Sequence, residues 1–195
     1  MADTHETDLL VLGAGPGGYA AAFLAADRGL RVTMVDAGAK PGGACLHVGC
    51  IPSKALLHAA NLITDARDAS SWGLKFAPPQ IDLDTLRARK DKIVDTLASH
   101  LAKLAKERQV NWIAGRGTFE DANTLAIDKG GKVRFKNCIL ATGSSPTQIP
   151  GLSIPSPRVV DSTGALKLEV PLKVDLAAGP NWLDVEELAA LVETR

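Results

Sequence analysis

The sequence predicts an α/β fold built on a parallel sheet, and two observations at its start predict it. Residues 9–12 are a short apolar run of the kind that forms a buried strand, and Gly-Ala-Gly-Pro-Gly-Gly follows directly at residues 13–18. Residues 19–28 are rich in alanine and helical in pattern, and residues 32–35 form a second apolar run. This order of strand, glycine turn, helix and strand is the context in which G-x-G-x-x-G binds a dinucleotide.

Each residue of this turn has a physical task. Gly13 makes the tight turn, Gly15 lets a pyrophosphate approach the backbone, and Gly18 lets helix and strand pack closely. Gly17 lies with them at the helix N-terminus, whose free N–H groups and positive dipole attract phosphate. Asp36 ends the second strand, where a carboxylate can accept hydrogen bonds from ribose hydroxyls. We therefore predict a dinucleotide site, with a glycine-rich turn in an ordinary α/β core as the alternative.

Composition narrows the class of protein. The chain of 195 residues is long enough for one good core or slightly more. Its 22 basic and 22 acidic residues are intermixed, which indicates neither a nucleic-acid nor a membrane partner. No apolar run reaches the roughly 18 residues that span a bilayer. The polar, acidic start is unlike a signal peptide, so we expect a cytoplasmic protein.

A pair of cysteines, Cys45 and Cys50, stands five residues apart after the second strand. Five helical steps advance about 7.5 Å, whereas the Cα atoms of a disulfide lie about 4.4–6.8 Å apart. A bond between the pair therefore requires an interruption of regular helix. Gly42 and Gly43 before the first cysteine, and Gly49 before the second, permit one.

The residues after the pair favour redox chemistry. A helix that begins near Cys50 would tolerate Pro52 in its first turn, and its positive end favours a thiolate. Lys54 adds a nearby cation. We interpret the pair as a catalytic dithiol, and its position on the nucleotide domain favours FAD, because a flavin exchanges electron pairs with a disulfide by direct contact. The alternatives are a pair of buried reduced cysteines and a zinc site of Cys45, His47, Cys50 and His58.

The remaining elements follow from local patterns. Residues 55–69 predict a helix, and Asp82 is expected to cap a long helix that ends near Gln109. That helix carries an apolar stripe for packing or for a partner contact: Leu86, Ile93, Leu97, Leu101 and Leu104. Short strands are predicted over residues 110–113, 124–127 and 132–135, followed by one from Cys138, whose thiol we expect to be buried.

Three stretches resemble a known family. Residues 13–22 and 42–54 look like the FAD-containing pyridine nucleotide–disulfide oxidoreductases, and residues 161–166 resemble its branch that acts on dihydrolipoamide. The resemblance runs from about residue 6 to about residue 172. It implies a three-layer FAD/NAD(P)-binding Rossmann-like domain with a parallel sheet, a small β meander and an extra helix pair.

The resemblance also implies roles. Cys45 would exchange with dihydrolipoamide, Cys50 would lie against the flavin ring, and Lys54 would lie near the flavin's reactive nitrogen. A backbone group near Gly117 would contact the adenine end of FAD, with a plain turn glycine as the alternative. The chain would cross close to the dinucleotide at Ala141, Thr142 and Gly143.

Some residues depart from the family's pattern. Asp36 replaces the more usual glutamate, which shortens its reach toward ribose. Ala44 and His47 stand where threonine and asparagine are common, and His47 is expected to be a solvated loop residue rather than a base.

The family's partners would be dihydrolipoamide, carried on a lipoyl domain of a 2-oxo acid dehydrogenase complex, and NAD as co-substrate. We divide the chain into an FAD-binding domain, residues 1–172, and a divergent tail, residues 173–195, with a short helix over 184–193. We find in the tail no NAD site, no Gly-Asp strand of the kind that touches the flavin in the family, and no interface domain. We therefore expect weak FAD binding, no unaided NAD-linked turnover and a doubtful homodimer. The alternatives are a non-catalytic nucleotide-binding module and another disulfide reductase of the glutathione or mercuric type.

Overall fold

The computed structural model of the protein describes residues 4–147, 156, 159–168, 176–178 and 186–188. Its elements in chain order are β1 (Thr4–Leu12), α1 (Pro16–Asp27), β2 (Val32–Asp36), α2 (Gly43–Val48), α3 (Cys50–Asp68), a 3₁₀ turn (Ala69–Trp72), α4 (Leu83–Glu107), β3 (Asn111–Ala114), β4 (Gly117–Asp121), β5 (Thr124–Ile127), β6 (Lys132–Leu140), α5 (Ser162–Ala165), β7 (Leu176–Ala178) and β8 (Glu186–Leu188). Among these helices, none is both long enough and apolar enough to cross a membrane.

One six-stranded sheet forms the centre of the fold, in the order β3-β2-β1-β6-β5-β4. Strands β3, β2, β1 and β6 run parallel, whereas β4, β5 and β6 form an antiparallel meander. The predicted α/β class, parallel sheet and meander are therefore confirmed.

Strand β6 corrects the prediction of two separate strands. It runs without interruption through the polar pair Lys136 and Asn137, which suggested a break. Lys136 is accommodated because its Nζ lies 2.8 Å from Oδ1 of Asp8 on β1, and Asn137 pairs in register with Leu9. One strand thus belongs to both the parallel sheet and the meander.

The core follows the two-residue alternation of β1. Leu9 and Val11 face α1, where they pack with Ala22 and Ala25 and with Met34 of β2. The alternate face forms a second buried cluster of Leu10, Val35, Leu125, Ile127, Val133 and Phe135. Both faces of the central strands are buried, as expected for a parallel sheet.

Helices α3 and α4 pack against each other beside the sheet. Asp82 caps α4 as predicted, because its Oδ1 accepts hydrogen bonds from the backbone N–H groups of Asp84 at 3.1 Å and Thr85 at 3.0 Å. The fully buried positions of α4 are Lys90, Ala98 and Ala105. The predicted stripe is half-buried at Leu86, Ile93, Leu97 and Leu101 and exposed at Leu104, so the packed line lies beside it rather than on it.

The tail differs from its prediction. Glu186–Leu188 is a strand, paired antiparallel with Leu176–Ala178, instead of part of a helix over residues 184–193. Backbone pairing within the tail needs no apolar surface, whereas an amphipathic helix needs one to pack against. The rest of that stretch and the predicted boundary at residue 172 lie outside the described residues.

Candidate functional site

Three loops meet at the carboxyl ends of β1, β2 and β6, the edge at which open parallel sheets bind ligands. Together the three loops surround a cavity of about 630 Å³. The cavity is lined by Gly15, Pro16, Gly17, Asp36, Gly38, Lys40, Gly43, Ala44, Cys45, His47, Val48, Ala141, Thr142, Gly143 and Ser144. The cavity therefore brings Cys45 together with part of the predicted nucleotide site: Gly15, Gly17, Asp36, Gly43 and residues 141–143.

The glycine turn leaves no room for side chains at two positions. Gly13 has φ +105°, and a Cβ there would lie 2.1 Å from the carbonyl oxygen of Ala141. A Cβ on Gly18 would lie 1.8 Å from the carbonyl oxygen of Gly13. These two glycines do not line the cavity; they permit the backbone packing that shapes it.

The loop before the cysteines is fastened to the glycine turn through the backbone. The N–H of Gly42 donates to the carbonyl of Ala14 at 2.8 Å. Gly43 has φ +61°, and a Cβ there would lie 2.5 Å from the Cα of Gly15. Gly17, at the first turn of α1, has nothing within 4 Å of its Cβ position and so leaves the helix N-terminus open. A bare helix N-terminus walled by glycine backbone fits a dinucleotide pyrophosphate.

Asp36 lies in the cavity wall, but its carboxylate is already engaged with backbone. Its Oδ2 accepts a hydrogen bond from the N–H of Ala14 at 2.7 Å, and its Oδ1 accepts one from Gly38 at 2.6 Å. Asp36 therefore ties the glycine turn to the loop after β2. The predicted ribose contact stays a prediction, which would use the lone pairs that remain on these oxygens.

The cysteine segment has the interruption that its spacing required. Helix α2 ends at Val48, Gly49 adopts φ −139° and ψ −113°, and α3 begins at Cys50. A Cβ at Gly49 would lie only 3.2 Å from the Cα of Cys45, so the glycine lets the two turns of backbone approach closely. Pro52 is buried in the first turn of α3, as predicted.

Cys45 and Cys50 are both free thiols in the structure, and the predicted disulfide stays a prediction. A side-chain hydrogen bond with Cys50, followed by burial, raises the pKa of Cys45. The backbone of Cys50 and the charge of Lys54 act in the opposite direction. Because Cys45 is only half-buried and Cys50 is exposed, the alternative of two buried cysteines is wrong.

The two sulfurs differ in their relation to the cavity. Cys45 lines it, whereas Cys50 and Lys54 lie outside its wall at the start of α3. The resemblance implied the reverse, with Cys50 nearer the flavin. The assignment of the two sulfurs therefore stays a prediction that a spectrum can settle.

The zinc alternative has no support in the structure. Within the part of the chain that the structure describes, no group of three or more His, Cys, Asp or Glu side chains could hold a metal ion. His47 lines the cavity, but its Nε2 lies 3.1 Å from the carbonyl oxygen of Pro41, to which a protonated Nε2 donates. This contact favours the loop-residue interpretation of His47 over a base acting on the thiols.

The two remaining predicted FAD contacts, residues 141–143 and Gly117, differ in whether they line the cavity. Ala141, Thr142 and Gly143 line the cavity, and Gly143 adopts φ +72°. Gly117 does not line it, because it begins β4, and a Cβ there would lie 2.5 Å from Cδ2 of Leu125. Packing against Leu125 explains this glycine, and its contact with adenine stays a prediction.

Sequence reasoning missed Lys40 and the small residues Gly38, Val48 and Ser144 in the cavity wall. All of them lie within a few residues of a predicted position. Cys138, predicted to be buried, is half-buried in β6, and burial raises the pKa of its thiol.

Known proteins of one family are similar to this chain. The family model for pyridine nucleotide-disulphide oxidoreductases matches residues 7–174. The chain is 47% identical over 184 residues to a dihydrolipoyl dehydrogenase of Haemophilus influenzae, covering 92% of the chain and 38% of that relative. It is 44% identical over 183 residues to one of Vibrio cholerae, with the same coverage of 92% and 38%. The chain thus spans well under half the length of these curated relatives.

Among solved structures, the chain is similar to the HOCl-induced flavoprotein disulfide reductase RclA of Escherichia coli. The TM-score is 0.67 at 24% identity, over 84% of this chain and 34% of that one. At this identity the likeness shows the fold alone. From the family model, the identities and the glycine-walled cavity together, the chain belongs to the pyridine nucleotide-disulphide oxidoreductases, a family of FAD-dependent enzymes.

Proposed function

We propose that this chain binds FAD in the glycine-walled cavity and carries out the dithiol–disulfide half of a dihydrolipoyl dehydrogenase reaction. The observation that supports it best is that Cys45 lines the same cavity as Gly15, Gly17 and Asp36. A thiol and a phosphate-binding helix end in one cavity are what a flavin disulfide reductase needs, since the electrons must pass over a short distance.

The residues present fit the cofactor. Gly15 and Gly17 at the start of α1 would hold the pyrophosphate, and Asp36 would face the adenosine ribose. Ala141, Thr142 and Gly143 would form the wall opposite. FAD, when bound, supplies a two-electron acceptor beside the dithiol.

The chain's own part is thiol–disulfide exchange. A thiolate of dihydrolipoamide attacks one sulfur of a Cys45–Cys50 disulfide, which breaks that bond and forms a mixed disulfide. The second thiolate of dihydrolipoamide then displaces the cysteine, so lipoamide leaves oxidised and both cysteines are left reduced. Two electrons and two protons have then moved to the protein.

We infer the donor from the relatives' name, dihydrolipoyl dehydrogenase, and the lipoyl domain and NAD from the resemblance to the family. We assign dihydrolipoamide on a lipoyl domain of a 2-oxo acid dehydrogenase complex as the donor and NAD as the final acceptor, both by similarity to the dihydrolipoyl dehydrogenases. A homodimer and a cytoplasmic location stay predictions.

The test is an anaerobic titration of the FAD-loaded chain with dihydrolipoamide, followed by the flavin absorbance. We expect wild type to take up electrons from dihydrolipoamide, and Cys45→Ser and Cys50→Ser to lose the reaction. Cys138→Ser is the matched control, because this third cysteine lies in β6 outside the cavity wall and should leave the reaction intact. A flavin that binds but is not reduced by dihydrolipoamide would instead indicate a non-catalytic nucleotide-binding module.

A further inference from the structure

We propose that Lys40 is a phosphate-binding residue of the cavity, and that Asp95 of α4 holds its ammonium group until an anionic ligand takes it over. The inference rests on the proposed function, because it adds one residue to the nucleotide site. Lys40 lies in the loop between β2 and α2, and it lines the cavity together with Gly15 and Gly17.

The charged side chains of the cavity wall support a phosphate-binding role for Lys40. Among the lining residues, Asp36 has a carboxylate side chain and Lys40 has an ammonium side chain. Asp36 is engaged with the backbone N–H groups of Ala14 and Gly38 and does not contact Lys40 in any hydrogen bond of the site. A dinucleotide brings two negative charges at its pyrophosphate. The N-terminus of α1 offers only partial charge to them, so Lys40 supplies the full positive charge that this wall contains.

A phosphate can replace Asp95 as the ionic partner of Lys40. Its Nζ lies 2.7 Å from Oδ1 of Asp95, and the two side chains are 55% and 65% exposed. An ion pair this exposed contributes little to stability, because water screens it and both side chains lose rotamer freedom. A pyrophosphate inside the cavity offers more charge than one carboxylate, and the four-carbon stem of lysine can reorient toward it.

Asp95 is the ionic partner of Lys40 in the structure. Lys40 holds the pKa of the Asp95 carboxyl below its usual value, and the charge of His47 acts in the same direction. The carboxylate of Asp95 thus lies near Lys40 and His47, which both line the cavity. In the structure Asp95 therefore holds the ammonium group of Lys40 through a solvent-exposed ion pair.

The test measures affinity for FAD, ADP and adenosine by fluorescence and competition, with the full chain at low and at moderate salt. For Lys40→Gln we expect about tenfold weaker binding of FAD and ADP, no change for adenosine, and a smaller salt dependence. Lys40→Arg should keep most of the affinity. Asp95→Asn should leave binding equal or tighten it by up to about threefold, because the lysine is released.

The control is Lys103→Gln, which removes a lysine of α4 that pairs with Glu107 at 3.7 Å and does not line the cavity. It should bind all three ligands like wild type. The inference is overturned if Lys40→Gln binds FAD and ADP as wild type does, or if it loses adenosine to the same extent, since the loop would then have only a structural role. If wild type binds neither FAD nor ADP, both the proposed function and the inference on Lys40 fail.

Discussion

The carboxyl edge of the sheet and the helix pair α3–α4 are built differently. At the sheet edge, backbone groups of separate loops bond directly to one another: Gly13 to Val35 at 2.7 Å, Gly42 to Ala14 at 2.8 Å and Ala141 to Leu12 at 2.8 Å. In α3 and in the segment that joins it to α4, large apolar side chains are exposed, among them Leu57, Leu62, Trp72, Phe76 and Ile81. The nucleotide cavity is therefore fixed by backbone packing, whereas the helix pair is held by partial side-chain burial.

The cysteine pair lies where these two regions meet. Cys45 belongs to α2, which begins beside the glycine turn, whereas Cys50 begins α3, in which only Pro52 is buried. The comparison predicts that small changes at the sheet edge abolish the site, and that similar changes on the helix pair are tolerated.

The largest effect is expected for Gly13→Ala. The new Cβ would lie 2.1 Å from the carbonyl oxygen of Ala141, so the loop must move, with a loss of about 3 kcal/mol or more of unfolding free energy and loss of FAD binding. Gly130→Ala is the matched control, because Gly130 also has a positive φ of +94° but nothing lies near its Cβ position. That variant should lose only about 1 kcal/mol and bind FAD normally. If denaturant unfolding showed the same loss of unfolding free energy for Gly13→Ala and Gly130→Ala, close backbone packing at the sheet edge would not be what fixes the cavity.

The next largest change in unfolding free energy is expected from replacing a buried leucine, in contrast to an exposed one. Leu10 is 0% exposed in the sheet and Leu62 is 57% exposed on α3. Leu10→Ala should lower the unfolding free energy by about 2–5 kcal/mol, whereas Leu62→Ala should change it by no more than about 0.5 kcal/mol. Urea unfolding measures both. A loss of several kcal/mol in Leu62→Ala would mean that the helix pair is packed as tightly as the sheet.

A smaller effect is expected for Asp36→Asn. An asparagine can accept at its one side-chain oxygen, but its NH₂ group cannot accept the second backbone N–H, so either Ala14 or Gly38 loses its partner. We expect roughly tenfold weaker FAD binding by fluorescence titration. Asp128→Asn is the control, because Oδ1 of Asp128 accepts the N–H of Arg116 at 2.9 Å outside the cavity wall. FAD affinity that falls equally in both variants would show a general loss of stability.

The smallest effect concerns one thiol. The hydrogen bond with Cys50 is the main cause that raises the pKa of Cys45, so Cys50→Ala should lower that pKa toward its ordinary value. The rate of alkylation of Cys45 by iodoacetamide would then rise at lower pH than in wild type. An unchanged pH profile would mean that burial, and not the neighbouring thiol, controls Cys45.

Sequence reasoning predicted the features that depend on local backbone. The glycine turn, the break between Cys45 and Cys50, Pro52 in the first turn of a helix and the cap at Asp82 follow from the conformations that these residues allow. It did not predict contacts between distant segments. The ion pair of Lys40 and Asp95 joins residues 55 positions apart, and no local pattern marks it.

Packing explains the remaining differences. The leucine stripe of α4 lies beside the buried line because the neighbouring helix, and not the apolar pattern alone, decides which face is covered. Strand β6 continues through polar residues because Asp8 pairs with Lys136 across the sheet. Asp36 contacts backbone because the glycine turn approaches it from another strand.

The most direct test of the account is the absorption spectrum of the FAD-loaded chain before and after mild reduction of its dithiol. Because a thiol lines the nucleotide cavity, we predict a new long-wavelength band from a thiolate in contact with oxidised flavin. Cys45→Ser and Cys50→Ser show which sulfur produces it, since the band is lost with the sulfur that contacts the flavin. A bound flavin whose spectrum does not change after reduction of the cysteines would contradict the claim that FAD and the dithiol share one cavity.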